Sequence, residues 1–232
     1  MSNSRKKKRS SMSDDGSKRG PKRIHLEPKS IGQRNYLNSI RQNKLTICDG
    51  PAGCGKTLLA AASASNLLLD QSHVYDHIVI VRPAVTACNE KLGYLPGTLE
   101  KKMEPFTMPV LYSLSKVVGR ERFVTMMRND AIRVIPLAYM RGLTLDNCVV
   151  IFDEAQNSTP EQMKMFLTRL GENCKIIVEG DEDQSDIRHT NGLSDAISRL
   201  SKMRNVGVIE MDRDDVVRSG FVRDILERYE DC

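Results

Sequence analysis

The stretch Gly50-Pro51-Ala52-Gly53-Cys54-Gly55-Lys56-Thr57 constrains this chain more than any other. It fits G-x-x-x-x-G-K-[ST], a loop whose backbone N–H groups cradle phosphate. Its flanks agree. Leu45-Thr46-Ile47-Cys48 before it is a short β-prone run, and Leu58 to Leu69 after it, rich in Ala and Leu and bounded by Asp70, is expected to be a helix. Glycines allow the tight wrap, and the helix aims its positive end at the same anion. Lys56 adds a point charge for the outer phosphates, and the Thr57 hydroxyl is placed to ligate Mg²⁺. Gly50, Pro51, Ala52, Gly53, Cys54, Gly55, Lys56, Thr57 and Leu58 are therefore the expected nucleotide-binding run. A chance glycine turn would require neither flank, nor the second motif downstream.

That second motif is Cys148-Val149-Val150-Ile151-Phe152-Asp153-Glu154, an apolar run ending in two acids. A buried strand delivers carboxylates at its C-terminal end, where open α/β sheets bind ligands. Asp153 is expected to hold Mg²⁺ and Glu154 to polarise the attacking water. Alone, such a run is a weak signal. With the glycine loop it is a strong one. A kinase also needs the loop and the metal, but it has no use for a water-activating Glu beside the metal Asp, so the pair favours hydrolysis.

Between and after these anchors the periodicity alternates. Further strands are expected at Ile78–Val81, Ile132–Ile135, Lys175–Val178 and Val206–Ile209. Helices are expected at Ile31–Ile40, Leu99–Val118, Glu121–Met127, Thr159–Leu170, Leu193–Lys202 and Val216–Tyr229, with breaks at Pro105, Pro109 and Gly119. Thr159 is the expected N-cap ahead of Pro160. Strand–helix alternation implies a mostly parallel sheet between two helical layers. His73 and His77 are four apart, but without a third ligand they are read as part of a surface loop.

Composition bounds the rest. The 232 residues are 40% hydrophobic and 28% charged, which suits one α/β domain with a tail. No apolar run approaches the length that spans a bilayer, so no membrane partner is expected. Six scattered cysteines without C-x-x-C are expected to be free thiols of a cytoplasmic protein. The net charge is +5, yet residues 1–28 carry nine Lys/Arg against three acids, leaving −1 for the remainder. Residues 1–28 are therefore expected to be a disordered basic tail and 29–232 the folded domain. Such a tail either contacts nucleic-acid phosphates or simply solubilises the chain.

Together these residues resemble the PhoH family of P-loop ATPases, related to the RecA-like cores of superfamily 1 helicases. Besides the glycine loop, the resemblance rests on Arg82-Pro83-Ala84-Val85, Glu90-Lys91-Leu92-Gly93-Tyr94-Leu95-Pro96-Gly97 and Pro136-Leu137-Ala138-Tyr139-Met140-Arg141-Gly142. It continues through Asp153-Glu154-Ala155-Gln156-Asn157, Gly180-Asp181 with Gln184, and Asp215-Val216-Val217-Arg218. It covers about Ile31 to Tyr229. The resemblance implies a three-layer α/β/α P-loop NTPase fold with a mostly parallel RecA-like sheet, and Mg²⁺-dependent ATP hydrolysis.

By position in these motifs, Gln33 would read adenine, Gln184 would sense the γ-phosphate, Arg218 would act as an arginine finger, and Arg141 would contact phosphate or a neighbouring subunit. The plain alternative for Gln33 is a solvated helix glutamine, and for each arginine a solvated surface charge. Residues 82–97 correspond to the region where related helicases touch nucleic acid. Glu179 departs from the family, which usually has a small or hydroxyl residue before Gly-Asp. Ser185 departs too, at a position where an apolar residue is common. With room for only one core, the finger is expected from a second copy, in a homo-oligomeric and most simply hexameric ring. RNA or single-stranded DNA is the expected partner of a helicase-like motor. The alternatives are a nucleotide-switched protein-binding module and, last, a phosphotransferase. No intrinsic nuclease activity is expected, because the segment ahead of the core lacks a carboxylate cluster.

Overall fold

Six short runs of β-branched and apolar residues pair side by side, each in parallel with its neighbours. The computed structural model describes residues 24–70, 74–83, 99–187, 189–217 and 228, with the backbone alone for 99–106. Its elements are α1 (Ile31–Gln42), β1 (Leu45–Asp49), α2 (Lys56–Leu68), β2 (His77–Arg82), α3 (Leu99–Val118) and α4 (Arg120–Arg128). They continue with β3 (Ile132–Pro136), β4 (Cys148–Phe152), α5 (Pro160–Leu167), β5 (Lys175–Gly180), α6 (Gly192–Leu200) and β6 (Val206–Glu210). The sheet order is β3-β2-β4-β5-β1-β6.

Strand alternation sorts the side chains into two cores. Cys48, Ile78, Ile80, Val149, Ile151 and Ile177 face α1, α2 and α3. Ile47, Val79, Val81, Val150, Phe152 and Val178 face α5 and α6. Burying each such Ile or Val is worth roughly 1.5–3 kcal/mol. Ala60, Ala61 and Ala64 are fully buried on α2, and their small size lets that helix sit close to the sheet. On the other face the rings of Phe152 and Phe166 meet edge to face with centroids 4.6 Å apart. This is the three-layer α/β/α arrangement expected from the alternation.

Local signals and outcome differ in two places. The prolines at 105 and 109 do not interrupt α3, which runs through both. Val110 and Leu114 anchor it in the α1–α2–α3 core, and that burial outweighs the missing proline N–H groups. Conversely α5 stops at Leu167. Leu145 N–H donates to Arg169 O and Gly171 N–H to Leu145 O, so Leu170 leaves the helix to bridge Leu145. At the other end of α5 the expected Thr159 cap is present as a reciprocal capping box with Gln162.

The boundary expected at 28/29 falls within a segment tied to α2, where Ile24 exchanges two 2.8 Å hydrogen bonds with the Asn66 side chain. Residues 1–23, most of the terminal helix expected from Val216 and residues 84–97 of the expected nucleic-acid segment lie outside the described residues. Among the described residues, no helix is long and apolar enough to cross a membrane.

Candidate active site

Because all strands are parallel, β1, β4 and β5 deliver their C-terminal ends to one edge of the sheet. β5 lies between β1 and β4, so three loops converge. A cleft of about 270 Å³ opens there. It is lined by Gly55, Lys56, Thr57 and Leu58 from the first loop, Asp153 and Glu154 from the second, and Asp181 and Gln184 from the third.

The glycine loop is held by its backbone. Gly53 and Gly55 adopt φ of +92° and +85°, a region that glycine enters without the usual steric cost. At Gly50 a Cβ would lie 2.7 Å from that of Met211, so only glycine fits. α2 starts on Gly55 with no side-chain cap and no acid in its first turn. No acid of its own first turn thus competes for the helix start, which suits an anion. The Lys56 ammonium donates to Gly50 O and, at 3.1 Å, to Pro51 O. From α1, Gln33 braces the loop: its Nε2 donates to Cys54 O at 2.9 Å, and its Oε1 accepts from Lys29 N–H at 2.8 Å.

One N–H of the loop already has a carboxyl partner within the protein. Ala52 N–H donates to Asp181 Oδ2 at 3.1 Å, and Gln184 Nε2 donates to the same oxygen at 2.6 Å. A carboxylate thus rests on the loop beside the expected phosphate sensor.

At the end of β4, Glu154 takes a left-handed φ of +56°, turning the chain sharply after Asp153. Arg82, at the end of β2, reaches both acids: Nη1 is 3.4 Å from Asp153 Oδ2 and Nη2 is 3.0 Å from Glu154 Oε1. Gln156 Nε2 holds Glu154 Oε2 at 2.6 Å. Burial lifts the Asp153 carboxyl to about 6, with Arg82 pulling it down and Glu154 pushing it up. Glu179, wholly buried on β5, lies well above the carboxylate range, first through burial and then through Asp153.

The residue types suit a magnesium nucleotide. Thr57 and Asp153 offer a hydroxyl and a carboxylate to a hard cation. Among the described residues no group of three or more His, Cys, Asp or Glu is placed to hold a metal ion, so a cation here would draw its other ligands from phosphate oxygens and water.

Of the expected site residues, Ala52, Gly53, Gly55, Lys56, Thr57, Leu58, Asp153, Glu154 and Gln184 line the cleft. Gly50, Pro51, Cys54 and Gln33 build the loop behind it. Arg141 is exposed in the turn after β3 and does not line the cleft. Arg218 lies outside the described residues, although Val217 N–H donates to Gly53 O at 3.2 Å. Reasoning from the sequence missed Arg82, assigned there to nucleic acid, and Glu179, noted only as a departure. Parity along β5 offered a signal for Glu179, since it shares the face of Ile177.

Comparison with known proteins agrees with this architecture. The family model for PhoH-like protein matches residues 25–230. The PhoH-like protein of Bacillus subtilis (strain 168) is 44% identical over 207 residues, 88% of this chain and 64% of the relative. Protein PhoH of Escherichia coli (strain K12) is 41% identical over 201 residues, 85% of this chain and 56% of the relative. The chain therefore spans less than two thirds of these relatives' length. The large terminase of a thermophilic bacteriophage superposes with a TM-score of 0.51 at 12% identity, covering 87% of this chain and 50% of that one, which shows a shared fold.

Proposed function

The chain belongs to the PhoH family, and on that premise we propose that it binds ATP with Mg²⁺ in the cleft at the ends of β1, β4 and β5 and hydrolyses it. Carrying the assignment is one juxtaposition: Lys56 and Thr57 of the glycine loop share a cleft with Asp153 and Glu154 of β4.

In this reading the loop N–H groups and Lys56 bind the phosphates, while Thr57 and Asp153 hold the cation. When bound, Mg²⁺ neutralises charge on the phosphate oxygens. Glu154 orients the attacking water and receives its proton. For that it must give up part of its hold on Arg82 and Gln156. Gln184, now on Asp181, senses the γ-phosphate, and Gln33 serves the adenine side of the loop that it braces. Arg218 supplies the transition-state cation, from a neighbouring copy in a ring, and Arg141 serves phosphate or that neighbour.

The work driven by hydrolysis is proposed to be on RNA or single-stranded DNA, contacted by the basic N-terminal segment and by residues 83–97, the part of the expected segment that follows Arg82. Backbone contacts would dominate, as aromatic residues are only 5% of the chain. The test is ATP turnover with and without poly-U or single-stranded DNA, in the wild type and in Glu154→Gln. Stimulation in the wild type alone supports the motor. Turnover indifferent to nucleic acid supports a nucleotide-switched protein-binding module instead. Sedimentation that shows only monomer with ATP and Mg²⁺, while hydrolysis stays fast, removes the ring.

A further inference from the structure

Two thiols 26 positions apart in the chain meet at the edge of the sheet opposite the cleft. Cys148 opens β4, and Cys174 immediately precedes Lys175, the first residue of β5. The β4–β5 register pairs Val149 with Lys175, so one step back Cys148 stands opposite Cys174. Both side chains lie on the α5–α6 face of the sheet. Neighbouring strands are about 4.8 Å apart, inside the range of roughly 4.4–6.8 Å that a disulfide spans between Cα atoms. The two Sγ atoms are 3.7 Å apart and share a hydrogen bond.

The two thiols are not equivalent. Cys148 is fully buried, whereas Cys174 is only partly so. Cys174 Sγ also donates to Leu145 O at 2.7 Å, which leaves the hydrogen of the shared bond to Cys148. An S–H aimed at Cys174 favours its thiolate, and brings that thiol down to about 7 against the effect of burial. The same contact, with burial, pushes Cys148 up. The thiolate is the form that an oxidant meets. A reachable thiol, ionised near neutral pH and set beside a second thiol, is the arrangement of redox-sensing cysteines. The other described thiols have different partners: Cys48 Sγ donates to Asp49 O, and Cys54 Sγ accepts from the Lys56 ammonium.

We propose that Cys148 and Cys174 form a peroxide-oxidised dithiol site: Cys174 meets the oxidant, and Cys148 resolves it to a disulfide across the starts of β4 and β5. The Cys174 thiolate attacks one oxygen of hydrogen peroxide and the O–O bond breaks. Cys174 becomes a sulfenic acid, and the departing hydroxide takes up the proton that the thiol released. The Cys148 sulfur then attacks the sulfenic sulfur, the S–O bond breaks, and the hydroxyl leaves with the Cys148 proton as water. In sum two thiols and one peroxide give one disulfide and two waters, the thiols supplying both electrons. A dithiol reductant reverses the step by exchange. The site does not depend on the nucleotide reading, because the cleft lies at the far ends of the same strands.

The experiment follows the thiols themselves. The full chain is reduced, freed of reductant and exposed to a small molar excess of hydrogen peroxide. Catalase stops the reaction, and the chain is unfolded in guanidinium with N-ethylmaleimide before peptide mapping. The expected product is a linked Cys148–Cys174 peptide that dithiothreitol returns to two thiols. It should form at least about tenfold faster than Cys48 or Cys54 is lost. In Cys148→Ala, Cys174 should stop at the sulfenic acid, which dimedone traps. In Cys174→Ala, Cys148 should stay open to maleimide, its loss slowed at least about tenfold. A wild type in which both thiols stay free overturns the proposal, as does Cys174 linked to any sulfur other than Cys148. Oxidation of Cys174 to the sulfinic acid with Cys148 still free overturns it too. So does loss of Cys148 at the wild-type rate in Cys174→Ala. If a variant does not fold, the wild-type map decides alone.

Discussion

The guanidinium of Arg82 lies 3.0 Å from Glu154 Oε1, so the acid proposed to activate water is held by a cation from the neighbouring strand end. The same side chain reaches Asp153 at 3.4 Å and is itself only 15% exposed. Arg82→Gln leaves two acids without their cation. Removing one partner of a buried pair costs about 3–5 kcal/mol, and the partial exposure of Glu154 lowers this to about 2–3 kcal/mol. Thermal melts in EDTA should show a drop of about 2–4 °C per kcal/mol, partly restored by Mg²⁺. An Arg82→Gln protein that melts with the wild type in EDTA contradicts this account of the acids.

Glu154→Gln keeps the size of the side chain and removes its basicity. Nucleotide affinity should persist, because Lys56, Thr57 and the loop N–H groups are untouched. Turnover should fall by about 10²- to 10⁴-fold, the usual worth of a positioned general base. Equilibrium binding beside steady-state kinetics separates the two quantities. Loss of both together would assign Glu154 to binding.

Burial holds the Asp153 carboxyl at about 6 against an ordinary 3.8. The folded chain therefore keeps a proton that the unfolded chain releases at lower pH. Stability contributed by that proton is present below about pH 4 and is lost as pH rises through about 6, by roughly 2–3 kcal/mol. Glu179 is shifted in the same direction. Melting in EDTA should decline between about pH 4.5 and 7 in the wild type relative to Asp153→Asn. Mg²⁺ should flatten the decline, since binding the cation displaces the proton. Parallel curves for the two proteins would show that Asp153 ionises freely.

Cys174 is expected to be the most reactive of the four described thiols. Its Sγ lies 3.7 Å from that of Cys148. Hydrogen bonding from Cys148 brings Cys174 down to about 7, against the effect of burial. Cys48 and Cys54 are buried, and burial pushes both thiols up. Brief treatment with iodoacetamide near neutral pH, followed by peptide mapping, should label Cys174 ahead of Cys48, Cys54 and Cys148. Faster labelling of Cys54 would mean that the glycine loop opens readily.

Much of the site is local in origin, which is why it could be read along the chain. The glycine loop needs a strand, a few permissive backbone positions and a helix start, all within Leu45–Leu69. The acids Asp153 and Glu154 end an apolar run that can only be a buried strand. Helix limits were less legible, because packing overrode chain-local signals. Val110 and Leu114 carry α3 through Pro105 and Pro109, and Leu145 draws Leu170 out of α5.

By itself the sequence determined the phosphate loop, the paired acids, the parallel α/β class and the family. Those properties follow from backbone permissiveness and hydrophobic period, which act over a few residues. Tertiary structure alone decided that β5 lies between β1 and β4, that Arg82 clasps both acids, and that Glu179 stands beside Asp153. Such relations are set by strand order and register, which bring together side chains 72 positions apart, as for Arg82 and Glu154. No period along the chain encodes which strand will be whose neighbour.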